Sequence, residues 1–175
     1  MDIDTRLLVA AERLFDRNGF NATGMGRLIK ETGLSSRTVY KHATSKSVLM
    51  ATVLAERGRR FFAHVDFSST DALFASLTAW AEQEGARGCL FFRAYAETGG
   101  KTPEIERCVA GYHARLHTAI SDLVTLETGV VDEALTDQIL ALFEGATTAA
   151  TYRGTEVIES ARVCARQLIA ARKQQ

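Results

Sequence analysis

The chain has 175 residues, 46% hydrophobic and 24% charged, with 21 Lys and Arg balancing 21 Asp and Glu. That composition suits a soluble globular protein able to bury a core without disulfides, and it argues against disorder. It also argues against a membrane partner and points to the reducing cytoplasm: no uncharged apolar run approaches the roughly 18–20 residues that span a bilayer, seven charges interrupt the first twenty residues where a cleaved leader would need an apolar run, and Cys89, Cys108 and Cys164 are too widely spaced for a disulfide framework or a zinc module.

The zero net charge conceals an asymmetry. Residues 1–60 carry 11 Lys and Arg against 6 Asp and Glu, and residues 61–175 carry 10 against 15. A basic front and an acidic back suggest one part that faces a polyanion and one that avoids it.

Helical periodicity runs nearly throughout. Leu7, Leu8, Ala11, Leu14 and Phe15 form one face of a helix over residues 5–18. Asn18-Gly19 stops it, and Thr23 is read as the N-cap of a short second helix reaching Thr32. After Gly33, Ser35 opens a third helix, Ser36 to His42, with Val39 turned inward. Ser45 caps a fourth, from Lys46 to about Val65. The polar run 67–71 is a connection, followed by helices over about 72–84 and 89–97. Residues 98–102, Thr-Gly-Gly-Lys-Thr, lack the spacing of a phosphate loop and are read as a helix connection. Pro103 starts a long helix to about Glu127, and two more follow, about 131–152 and 155–173. No segment sustains the alternation of a strand. The expected fold is all-α, about nine helices: a short three-helix N-terminal domain over residues 1–47 and a larger helical domain over 48–175.

Residues 19–46 carry the chemistry. Two short helices joined by Thr32-Gly33-Leu34-Ser35 make a helix-turn-helix arrangement. The second helix of such a motif enters the DNA major groove, with its N-terminal residues at the base edges. Here these are Ser36, Arg37 and Thr38, opened by Ser35, with Tyr40 and Lys41 following. Arginine can pair bidentately with guanine, and small hydroxyls can meet several base edges. Tyr40, His42, Lys46 and Thr23 suit phosphates, which fix register rather than sequence. The competing readings are a core aromatic for Tyr40, a solvated surface arginine for Arg37 and a helix-terminal cation for His42.

The stretch Gly19-Phe20, Thr23, Met25, Gly33-Leu34-Ser35, Thr38-Val39-Tyr40, His42 and Ser45-Lys46, preceded by Ala10-Ala11 and Leu14-Phe15, resembles the N-terminal domain of TetR-family transcriptional regulators. The resemblance covers about the first 60 residues, with weaker echoes at Arg87–Glu97 and Leu140–Gly154. It implies an all-α homodimer bound to a palindromic double-stranded operator, acting as a repressor that a small-molecule effector releases. Two positions depart from the pattern: Ala43 stands where an aromatic is usual and Ser47 where Glu is common.

Between front and back, Phe74, Leu77, Trp80, Phe91, Tyr95, Tyr112 and Phe143 either line an effector pocket or fill the core, and the pocket reading rests on the resemblance. His113 and His117, spaced i, i+4, share a helix face. They are open to three readings: polar groups of that pocket, ordinary surface, or two ligands of a metal-dependent helical enzyme. The last lacks an acid or third ligand in register, so neither catalysis nor a metal or other cofactor is expected. An adaptor that keeps the fold without binding DNA is a further alternative. Leu135, Ile139, Leu142, Ala146 and Ala150 stripe one C-terminal helix, and Val157, Ala161, Cys164 and Leu168 the other. These nine are read as a four-helix interface between two copies.

Overall fold

The computed structural model describes residues 3–174, with side chains from residue 5 onward. Every regular element among them is a helix: α1 (Ile3–Asn18), α2 (Met25–Thr32), α3 (Ser36–His42), α4 (Lys46–His64), α5 (Thr70–Glu84), α6 (Leu90–Thr98), α7 (Pro103–Thr128), α8 (Glu133–Arg153) and α9 (Glu156–Lys173). The all-α expectation holds, and boundaries differ by a residue or two where caps differ. α5 begins at Thr70 rather than near Ala72, because the Ser69 hydroxyl accepts the Ala72 N–H at 3.1 Å. The run read as a plain connection therefore contains a helix cap.

The chain forms two compact units. The first comprises residues 1–59 and 90–111, and the second comprises 60–89 and 112–175. The compact units part within α4, after Arg59, and not at residue 47 where the sequence reading divides the domains. Arg57 on α4 bonds Glu12 on α1 at 2.9 Å, and the Cys108 thiol on α7 donates to the Ala51 carbonyl of α4 at 3.5 Å. Such links bind α4, α6 and the start of α7 to the N-terminal helices.

In the first unit, Leu7, Ala11, Phe15, Leu28, Val39 and Met50 are essentially inaccessible to solvent. In the second, α5, α8 and α9 pack together around Leu73, Ile139, Ile158 and Ala165. Beside them Phe61 meets Trp80, Tyr112 and Phe143 edge-on, with centroids 5.5–6.1 Å apart. Polar ties close this unit. The Glu127 carboxylate accepts the Thr70 N–H at 3.0 Å and also its hydroxyl. Arg162 donates to Asp71 at 3.0 Å, and Arg172 pairs with Asp132 at 2.7 Å.

Candidate nucleic-acid interface

α2 ends because Gly33 takes the left-handed conformation (φ 64°) that reverses the backbone at low cost. The turn is fixed on both sides. Thr32 donates its hydroxyl to the Ile29 carbonyl at 3.0 Å and accepts the Leu34 N–H at 3.3 Å, and Arg6 on α1 donates to the Thr32 carbonyl at 2.8 Å. The Ser35 hydroxyl then caps α3, accepting the Thr38 N–H at 3.1 Å and bonding the Thr38 hydroxyl at 2.8 Å. Val39 is fully buried, and so is Ala43 just beyond the helix.

Burying that side turns Ser36, Arg37, Tyr40 and Lys41 outward together. Tyr40 is 49% exposed, which removes the core-aromatic reading. α3 contains no acid, its last turn carries Lys41 and His42, and among the described residues neither Arg37 nor Lys41 enters an ion pair. His42 is exposed at the end of the same helix. The result is a seven-residue helix presenting hydroxyl, guanidinium, phenol and ammonium from one rigid face.

Two expected phosphate contacts take other roles. Thr23 is buried, and its hydroxyl donates to the Gly19 carbonyl at 2.8 Å. It does not cap α2 either: the N-cap is Gly24, with no side-chain hydrogen bond. Lys46 is half-buried, donates to the Phe20 carbonyl at 2.9 Å and lies 4.2 Å above the Phe20 ring. Both side chains hold the 19–24 loop, Thr23 from within it and Lys46 from the start of α4. Thr38 is partly spent on Ser35, and Ser35 serves as the cap.

Among the middle residues, Phe74, Leu77, Trp80, Tyr112 and Phe143 are buried in the second unit. Phe91 (buried) and Tyr95 (43% exposed) belong to the first. His113 and His117 face acids that a single helix could not reveal, because α8 supplies them. His113 Nε2 lies 4.0 Å from Glu144, and His117 Nε2 lies 3.6 Å from Glu133 and 3.8 Å from Asp137. Burial pushes the Glu144 carboxyl above its ordinary range, with His113 pulling the other way. Among the described residues no three His, Cys, Asp or Glu side chains are grouped as metal ligands.

The C-terminal stripe needs correcting. Leu135, Ile139, Ala146, Ala150 and Ala161 are buried within the single chain, because they form the core where α8, α9 and α5 meet. They are not an outer face. Leu142, Cys164 and Leu168 do lie on the outside, where with Gln138, Ala141 and Gln167 they line an open apolar concavity between α8 and α9. Val157 is half-buried.

Residues 7–53, spanning α1 to the first half of α4, match the family model described as "Bacterial regulatory proteins, tetR family". Over those residues the chain is similar to that family. Solved structures share the fold over nearly the whole chain. A TetR-family transcriptional regulator from Streptomyces coelicolor superposes with a TM-score of 0.85 at 22% identity, covering 97% of this chain and 95% of that one. A putative TetR transcriptional regulator from Streptomyces avermitilis gives 0.80 at 25% identity over 98% of each. Among curated relatives, the HTH-type transcriptional regulator UidR of Escherichia coli K12 is 25% identical over 114 residues, 62% of this chain. That match spans 58% of the length of UidR. Sequence reasoning missed Arg6, which braces the turn before α3 from α1, and Arg93 and Glu97, which hold Asp16 and Asn21 from α6. The Arg87–Glu97 resemblance was the one signal that pointed near the last two.

Proposed function

We propose that this protein is a DNA-binding transcriptional regulator that reads a palindromic operator as a homodimer. One observation carries the reading: within the family-matched segment, burial of Val39 and Ala43 leaves Ser36, Arg37, Tyr40 and Lys41 on one accessible, acid-free face of α3. In the major groove, Arg37 suits the O6 and N7 acceptors of guanine and Ser36 a neighbouring base edge. Tyr40, Lys41 and His42 suit phosphates, which supply register and most of the salt-sensitive affinity.

A palindrome demands two copies of α3 about one DNA turn, roughly 34–36 Å, apart. The Leu142, Cys164 and Leu168 face suits the symmetric contact, since a two-fold interface uses the same patch twice. The regulator works as a repressor in the cytoplasm, released by a small molecule of largely apolar character. Support for the effector comes from the aromatic cluster of the second unit, Phe61, Phe74, Trp80, Tyr112 and Phe143, with His113 and His117 as polar contacts. Release requires that the effector favour one of two dimer states by its differential affinity. Selection of duplexes from a random-sequence pool, followed by salt titration of the winner, tests the core reading. The account expects a two-fold symmetric consensus and affinity that falls steeply with salt. An unenriched pool would contradict it.

A further inference from the structure

α6 lies in the same compact unit as α1, α2 and α3, and its polar side grips the last turn of α1 and the loop between α1 and α2. Arg93 Nη1 stands 3.3 Å from an Asp16 carboxylate oxygen, and Nη2 donates to the Asp16 carbonyl at 2.9 Å. One helical turn on, the Glu97 carboxylate accepts the Asn21 backbone N–H at 2.8 Å, and the Glu97 carbonyl accepts Asn21 Nδ2 at 2.8 Å. Asp16 is only 3% exposed, so its charge depends on partners inside the protein. The fit at Glu97 is close: a Cβ built on Gly19 would come within 2.7 Å of its carboxylate. From the other side, Lys46 holds the Phe20 carbonyl of the same loop.

The loop matters because it leads directly into α2. Thr23, fastened to Gly19, fixes where the chain turns into Gly24 and the start of that helix. α2 leads through a braced turn into α3. A shift of the loop therefore tilts the helix that carries Arg37.

We infer that Glu97 and Arg93 are positioning residues for DNA recognition, Glu97 holding the 19–24 loop and Arg93 the last turn of α1 that feeds it, and through them the angle at which α3 is presented. Neither touches the duplex, and α6 becomes a working part of the DNA-binding unit. The inference rests on the DNA-binding reading of α3.

The test uses the full-length chain and the duplex that the wild type selects from a random-sequence pool. Glu97→Ala is expected to weaken binding about tenfold or more, the worth of a hydrogen bond to a charged acceptor. Glu97→Gln is expected to stay within about threefold of wild type, because its amide oxygen still accepts the Asn21 N–H. Hydrogen exchange at the Asn21 amide should quicken in the alanine variant and remain slow in the glutamine variant. Arg93→Met should behave like the alanine variant. Ile158→Val, in the second unit, supplies a control for general loss of stability and should leave affinity unchanged. Should Glu97→Ala not fold, Glu97→Asp draws the carboxylate back by one methylene and is expected to weaken binding in the same direction. Wild-type affinity in Glu97→Ala, or equal loss in Glu97→Gln and Glu97→Ala, would overturn the inference alone. Failure of the wild type to select any duplex would overturn the DNA-binding reading beneath it.

Discussion

Replacing Gly19 with alanine isolates how tightly the loop before α2 is built. Gly19 has φ +85°, a left-handed conformation that costs a residue with a Cβ about 1–2 kcal/mol. The new Cβ would also stand 2.7 and 2.8 Å from the two carboxylate oxygens of Glu97. The carboxylate has to swing away, which breaks its 2.8 Å bond to the Asn21 N–H. That bond is open to solvent, so its contribution is at the low end for a charged acceptor, about 1–2 kcal/mol. Gly19→Ala should therefore lose about 2–4 kcal/mol in urea denaturation monitored by circular dichroism. In a Glu97→Ala background the clash is gone and only the backbone term remains, about 1–2 kcal/mol. The two substitutions should thus be strongly non-additive, with a coupling of about 1–2 kcal/mol. Additivity within about 0.3–0.5 kcal/mol would refute the claim that Glu97 fills the space beside Gly19.

The same geometry sets other outcomes. Arg37→Ala should cost about 1–3 kcal/mol on the selected duplex and relax preference at one base pair, measured by competition with single-base variants; uniform loss on every sequence would make Arg37 a phosphate contact instead. Introducing Asp at Leu142 and Leu168 should give a monomer in sedimentation with an unchanged far-ultraviolet spectrum, since both face outward; a variant that remains dimeric would move the interface elsewhere. Glu144 carries a carboxyl raised by burial, so its ionised form is costlier in the folded state and the protein loses stability as pH rises from the ordinary carboxylate value towards the raised one. Glu144→Gln should match the wild type in acid and exceed it in urea melts at pH 7; the absence of a neutral-pH advantage would contradict the burial argument.

Much of the exposed α3 face is legible in the sequence, because it obeys local rules. Gly33 and Ser35 mark the turn and cap, and a 3.6-residue period with Val39 inward leaves Arg37 and Tyr40 outward. Thr23 and Lys46 defeat the same reasoning. A hydroxyl and an ammonium read alike whether they meet a phosphate or a carbonyl, and only the folded loop shows that Gly19 and Phe20 already claim them. The C-terminal helices are ambiguous in another way. Each has one strongly apolar stripe, and a stripe does not say whether it meets its own chain or a second copy. Here Ile139, Ala146 and Ala161 go to the core. The outer face uses Gln138, Ala141 and Gln167, whose pattern carries little hydrophobic signal. The acids facing His113 and His117, and the α6 grip on Asp16 and Asn21, join residues 16 to 77 positions apart, beyond the reach of spacing rules along one helix.

The central claim is that α3 enters a DNA groove and is offered twice by a symmetric pair of chains. Sedimentation of the wild type with its selected duplex at about 50 mM and about 200 mM salt tests both halves at once. The account predicts two chains per two-fold symmetric duplex, affinity that falls by orders of magnitude between the two salts, and a complex weakened by Arg37→Ala. A chain that sediments singly and leaves the duplex free at the lower salt would contradict it.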